Sequence, residues 1–198
     1  MKNNGRLIVF TGILVGLATA CKYFFGPDLD WSGFSPVIAI ALFSGFIINQ
    51  KPARMTRSDR DISFLLPLLA LFISDAIIQF LYSQNLFPYA GFYNHQLKNY
   101  LLLLVATLIG WALKGRSYKS LLIGAVAAPT VFFLLSNFSV WLTGKEVIYT
   151  KDFNGIMTSY AAGLPFYKNA LMATLIFLPA ILLIYNFLTR KKAVLTIA

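Results

Sequence analysis

Side chains that carry catalytic or metal chemistry are scarce in this chain: one cysteine, Cys21, one histidine, His95, and seven acidic residues. A lone cysteine excludes an intramolecular disulfide and any cysteine-based metal cluster. A lone histidine leaves no His-rich zinc set and no histidine-centred phosphatase chemistry. The sequence has no glycine-rich loop ending in Lys and Ser or Thr to cradle nucleotide phosphates. It also has no Gly-x-Ser-x-Gly elbow for a serine nucleophile. These absences argue against an enzyme, and neither a metal nor a cofactor is expected. Charge is sparse too, at 12% of residues, and no linker is long enough to set a soluble module apart.

Apolar sequence is what the chain has in abundance. It is 58% hydrophobic with a mean hydropathy of +0.70, too apolar for a soluble domain of this size. The long apolar stretches run from Leu7 to Gly26, Gly33 to Asn49, Ile62 to Tyr82, Leu97 to Leu113, Tyr118 to Leu142 and Ala170 to Thr189. Each is about the 17–25 residues that a helix needs to cross the hydrocarbon core of a bilayer. The expected fold is therefore all-α: one integral membrane domain over residues 1–198 with six transmembrane helices.

Lysine and arginine divide between alternate connections. Lys2 and Arg6, then Lys51, Arg54, Arg57 and Arg60, then Lys114, Arg116 and Lys119, then Arg190, Lys191 and Lys192 fall on one side. The other side keeps only Lys22, Lys98, Lys145, Lys151 and Lys168 of the 17 basic residues. Because basic loops stay in the cytoplasm, both termini are expected inside. The net charge of +10 then reflects topology and contact with anionic lipid headgroups, and calls for no nucleic acid. Lys2 and Arg6 followed by an apolar run and Ala18-Thr19-Ala20-Cys21 are weakly like a lipoprotein cleavage box. The apolar character continues through Tyr23, Phe24 and Phe25, which favours an uncleaved first helix with a buried, inert Cys21.

The outer connections, Pro27 to Ser32, Ser83 to Gln96 and Thr143 to Asn169, are rich in Tyr, Phe, Asn and Gly. The last is the longest irregular segment, of the kind that serves as a binding loop or lid. Within it Phe153 to Ala162 could form a short interfacial helix closed by Gly163 and Pro165. On the inner side, Asp59 and Asp61 are placed to cap the third helix. Tyr23, Phe24, Trp31, Tyr82, Tyr100, Trp111, Tyr118, Trp141 and Tyr185 fall near span ends, where aromatic rings settle at headgroup level.

Polar residues inside the spans are the candidate site. Asp75 is the one acid within an apolar span, and an ionised group there needs a partner or a wet cavity. Gln79 and Tyr82 follow at i+4 and i+7, which makes a polar stripe on one helix face. The same burial could instead be met by pairing Asp75 with Lys22 or Lys98. In the fifth span Thr130, Asn137 and Trp141 form a second stripe beside Ser136, suited to a small planar molecule with polar edges. Asn137 could equally join two helices by hydrogen bonding. Pro67, Pro129 and Pro179 each remove a backbone donor inside a span. Gly12, Gly16 and Ala20 recur every four residues in the first span, a smooth ridge for close helix approach within the monomer or to a partner.

Four segments in order carry a resemblance: Phe34-Ser35-Pro36-Val37-Ile38-Ala39-Ile40-Ala41-Leu42-Phe43-Ser44-Gly45; Leu66-Pro67-Leu68 leading to Ser74-Asp75; Ser136-Asn137-Phe138-Ser139-Val140-Trp141-Leu142; and Gly163-Leu164-Pro165-Phe166-Tyr167-Lys168-Asn169. Over roughly residues 31 to 190 the chain resembles an uncharacterised bacterial family described as transport proteins, itself similar to the substrate-binding S components of energy-coupling factor (ECF) transporters. The resemblance implies a six-helix, S-component-like bundle in the bacterial cytoplasmic membrane that captures a vitamin or other micronutrient outside. It implies a separate coupling subunit and two ATPases as partners. It also implies docking through Gly12, Gly16 and Ala20, and a pocket that includes Asp75, Asn137, Trp141, Tyr167 and Asn169. Beyond Asn169 the chain departs from that pattern, with Ala173 and Thr174 where Gly and Asp are usual.

The expectation is thus a substrate-capture subunit for a small molecule, with Asp75, Gln79, Asn137, Trp141, Tyr167 and Asn169 at the substrate and the segment Thr143 to Asn169 ordering over it. Two other classes fit the same topology. One is a membrane scaffold similar in fold to cell-shape proteins, which needs no pocket; the other is an autonomous ion-coupled carrier, in which Asp75 would titrate.

Overall fold

The structure, a computed structural model, describes residues 2–27, 30–49, 57–94, 96–113, 117–144 and 148–189. Six helices follow one another: α1 (Lys2–Phe25), α2 (Val37–Asn49), α3 (Arg57–Ser83), α4 (Gln96–Ala112), α5 (Tyr118–Thr143) and α6 (Phe153–Thr189). Among the described residues there is no strand. Three helices, α1, α5 and α6, are long and apolar enough to cross a membrane, while α2, α3 and α4 contain shorter apolar stretches.

The centre of the bundle is α2. Its sequence, Val-Ile-Ala-Ile-Ala-Leu-Phe-Ser-Gly-Phe-Ile, is apolar on every side, the pattern of a helix with no solvent face. Val37 through Ile47 are all buried, and α3, α4, α5 and α6 pack around them. Its one hydroxyl there, Ser44, is satisfied locally by the Ile40 carbonyl at 2.8 Å. Pro36 opens the helix, where the missing N–H costs nothing, and its carbonyl accepts the first helical bond from Ile40 N–H at 2.8 Å.

Two glycines let α2 and α4 meet backbone to backbone. A Cβ at Gly45 would overlap the Thr107 carbonyl oxygen, and one at Gly110 would overlap the Leu42 carbonyl oxygen. The Gly12 and Gly16 positions of α1 are the opposite case, with nothing within 4 Å of where a Cβ would stand. The ridge on α1 therefore does not serve packing inside the monomer at those two positions.

The bundle is closed at one end and hollow at the other. Phe10, Phe43 and Tyr185, from α1, α2 and α6, pack as a trio with ring centroids 5.2–5.6 Å apart. Leu14, Leu42, Phe46, Ile181 and Leu182 fill the space around them. Outward, the helices expose Ile8 and Val9 (α1), Phe72 and Phe80 (α3), Leu97 and Leu101 (α4), Leu122 and Ile123 (α5), and Ile176, Leu183 and Phe187 (α6). An apolar surface of that breadth is foreign to a water-soluble monomer and suits lipid. With the three long apolar helices, it makes this a membrane-type helical protein.

Two boundaries differ from the sequence reading. The segment Thr143 to Asn169 is not an irregular lid: α6 starts at Phe153 and runs unbroken through Gly163, Pro165 and Pro179 to Thr189. Pro165 frees only the Ala161 carbonyl, a loss that a helix absorbs when its neighbours or water supply a donor. The helix continues at Gly163 because α5 packs there, as described below. At the other boundary α3 starts at Arg57, so Asp59 and Asp61 lie within the helix and not ahead of it; their side chains lie outside the described residues, as does His95.

The turns show their chemistry plainly. At the end of α3, Asn85 takes a left-handed conformation (φ 58°), one that Asn tolerates better than most residues. Leu86 N–H reaches back to the Leu81 carbonyl (2.9 Å) and Asn85 N–H to that of Tyr82 (3.0 Å), the paired bonds of a Schellman stop. Ser117 caps α5, its hydroxyl accepting from Ser120 N–H at 3.1 Å.

Candidate functional site

The hollow end of the bundle holds a cavity of about 580 Å³, within the roughly 300–1,000 Å³ typical of small-molecule sites. Every helix lends it the end nearest the same three connections. Lys22 comes from the end of α1, Ser35 from just ahead of α2, and Val37 and Ile38 from its start. Leu71, Asp75 and Ile78 come from the second half of α3. Gln96, Asn99 and Leu103 come from the start of α4, Pro129 to Asn137 from the second half of α5, and Gly163 to Ala170 from the first half of α6. The connection between α3 and α4 closes over it with Phe87, Tyr89 and Tyr93.

On one wall sits Asp75, 3% exposed. Lys22 forms an ion pair with its Oδ1. Gln96 Nε2 donates to Oδ2, and the Tyr100 hydroxyl donates to the same oxygen at 2.7 Å. Gln96 and Tyr100 stand one turn apart on α4, so both reach a single carboxylate. Of the two pairings open to Asp75, the structure forms the one with Lys22. Lys98 instead donates to Thr143 Oγ1 at 2.8 Å.

This polar knot also fastens the aromatic connection. A Cβ at Gly91 would overlap the Asp75 carbonyl oxygen, so only glycine lets that strand of backbone lie on α3. Gln79 Oε1 accepts from Phe92 N–H (3.1 Å) and Gln96 Oε1 from Tyr93 N–H (3.2 Å). Gln96 Nε2 also donates to the Gly91 carbonyl at 3.3 Å, and Asn99 Nδ2 donates to the Tyr93 hydroxyl at 2.6 Å. Gln79 is thus a fastener of the connection and lies outside the cavity wall.

The opposite wall is aromatic. Phe133 of α5 and Tyr167 of α6 pack with centroids 4.9 Å apart at 33°, and the Tyr167 hydroxyl is held by Thr130 Oγ1 at 2.9 Å. Phe132 and Phe166 extend this surface. Asn137 lies above it, its Nδ2 donating to the Phe133 carbonyl at 2.9 Å. Its side chain presses on Gly163, where any Cβ would overlap the amide; Ser159 Oγ donates to the Asn137 carbonyl at 3.1 Å. Gly163 therefore serves as a seat for Asn137 inside a continuous helix.

Of the six residues expected at the substrate, the structure gathers Asp75, Asn137 and Tyr167 around one cavity and places Gln79, Trp141 and Asn169 elsewhere. Trp141 donates Nε1–H to the Thr150 carbonyl at 2.9 Å and carries Lys151 Nζ 5.5 Å from its ring centroid, so it anchors the turn between α5 and α6. Asn169, 5% exposed, donates Nδ2 to the carbonyls of Asp30 (2.7 Å) and Ser32 (2.9 Å), which ties the turn between α1 and α2 to α6. That turn needs Gly33, at φ 88°, whose backbone lies against the Phe166 carbonyl. Ala173 and Thr174 are fully buried, the Thr174 hydroxyl turned onto the Ala170 carbonyl at 2.7 Å.

Sequence reasoning missed Gln96, Tyr100, Phe133, Phe166 and Ser35. The i, i+4 spacing of Gln96 and Tyr100 on an apolar helix was the available signal for the first two. Nothing in the pattern marks one Phe of eighteen as a cavity wall. Among the described residues no group of three or more His, Cys, Asp or Glu side chains could hold a metal ion.

No curated protein and no solved structure matches the chain. Residues 1–195 match the family described as "Family of unknown function (DUF6580)", and the chain belongs to that family.

Proposed function

We propose that this protein is a membrane substrate-capture subunit, with the cavity as the binding site for a small micronutrient taken from outside the cell. The observation that carries the reading is the cavity itself: of ligand-sized volume, lined by aromatic rings and a few convergent polar groups, and set at the end of the bundle away from the filled core of described residues. Such sites, apolar with a few placed polar groups, are how proteins hold small molecules. Among the described residues the Phe10–Phe43–Tyr185 end is filled by side chains, which favours capture over a carrier working alone.

In this proposal all six helices cross the bacterial inner membrane with both termini inside. The broad apolar exterior supports it, and so does the division of basic residues, since the cavity lies at the end away from the most basic connections. The four-segment resemblance supports an S component of the ECF type. Energy for import then comes from a coupling subunit and two ATPases, because the chain carries no nucleotide loop. Gly12 and Gly16, with open space before them, offer a face on which a partner helix could lie closely. That same open face is the feature favouring the second reading, a scaffold that acts through partners alone. In both readings the protein is not an enzyme.

Native mass spectrometry of protein drawn from cells in mild detergent tests the proposal. A single stoichiometric small-molecule adduct is expected. A bare polypeptide from several growth media would contradict capture and favour the scaffold.

A further inference from the structure

The cavity wall has charges, but among the described residues they come as one matched pair. Lys22 and Asp75 are the only charged side chains lining it, and they are bonded to each other. Asp75 is further saturated by Gln96 and Tyr100. A ligand with a net charge would find no free counter-ion there, and burying an unpaired charge is far more costly than burying a neutral polar group. The unspent polarity is elsewhere. Ser35 Oγ is buried with no hydrogen-bond partner and belongs to the cavity wall. Thr19 Oγ1 and Ser74 Oγ also lack a partner, but of the three residues only Ser35 lines the cavity, where a ligand can supply the missing bond. Asn137 contributes its Oδ1, since only its Nδ2 is used by the Phe133 carbonyl.

Resting on the capture reading, we infer that the ligand is uncharged at neutral pH: a flat, mainly apolar ring system bearing an amide-like edge that can both donate and accept. The ring lies on the Phe133–Tyr167 surface and the edge meets both Ser35 and Asn137. The Lys22–Asp75 pair shapes the wall and fastens the connection above it without bonding the ligand through either charge.

Three naphthalene probes of matched size test this: 2-naphthamide, 2-naphthoate and 2-naphthylmethylammonium. Saturable binding to the purified protein is measured by equilibrium dialysis against empty micelles. The amide is expected to bind at least about tenfold more tightly than either ion, given that burial of an unpaired charge costs well over the ~1.4 kcal/mol this represents. Ser35→Ala should weaken the amide by about three- to tenfold, the worth of one hydrogen bond, while the melting temperature of the empty protein holds or rises, a combination that a purely structural hydroxyl would not give. Equal or tighter binding of either ion overturns the inference, as does saturable binding of none of the three. In those cases a co-purified adduct of another kind would leave capture standing and remove only the ligand class.

Discussion

Lys22 at the end of α1 and Asp75 in α3 form an ion pair across 53 positions of sequence, on the wall of the cavity. Removing one partner of such a pair strands the other in a low-dielectric site, which typically costs about 3–5 kcal/mol. Lys22 keeps 25% of its side-chain surface exposed, so Asp75→Asn, which leaves the cation with an outlet, is expected to cost less than Lys22→Gln. The double variant should recover much of either loss, because a neutral amide pair is cheaper to bury than a lone charge. A double-mutant cycle of unfolding in detergent measures this coupling; strictly additive losses would show that the pair does not act as a unit.

The glycines give a contrast that stability measurements can read. Gly45→Ala and Gly110→Ala each push a methyl into the backbone of the facing helix, and overpacking of that kind costs about 1–3 kcal/mol. Gly12→Ala and Gly16→Ala meet open space and should be neutral or slightly stabilising, since Ala is the better helix former. Thermal unfolding of the four variants decides; a loss at Gly12 matching that at Gly45 would mean the α1 face is packed after all.

Asp152 lies at the start of α6, its carboxylate accepting from the Thr150 hydroxyl (2.6 Å) and Gly155 N–H (2.8 Å). The Thr150 bond first, and then the backbone donors of Gly155 and its neighbours, hold its carboxyl below the ordinary value of 3.8. A group depressed on folding lends stability that is fully present above the unfolded value and lost as pH falls through the folded one. Protection from hydrogen exchange in the first turn of α6, taken relative to the intrinsic rate at each pH, should therefore fall only below about pH 4 in the native protein. In Asp152→Ala that protection should be low throughout with no such step.

The all-helical plan was legible because hydropathy is local in sequence. Helix positions followed for α2, α4 and α5. The start of α6 did not, because Gly163 and Pro165 are read locally as a stop, whereas Gly163 seats Asn137 of α5 inside a helix that continues through Pro165. The site was half legible. A buried acid announces itself, so Asp75 and the alternative partner Lys22 could be named in advance. Which polar residues face the cavity depends on helix rotation and on connections such as Gly91 lying over α3. Gln79, Trp141 and Asn169 share the composition of a binding site, yet their hydrogen bonds go to the backbone of the connections between helices. Ser35 was invisible because its significance is the partner it lacks.

The central claim, that the cavity between Asn137 and the Lys22–Asp75 pair binds a small molecule, is tested most directly by its affinity in Asn137→Ala. The molecule released from the native protein is returned to wild type and variant, and the dissociation constants are compared by isothermal titration. The account predicts binding at least about three- to tenfold weaker in the variant, the loss of one or more hydrogen bonds, with the fold intact by thermal unfolding. Equal affinity in the two proteins would contradict it.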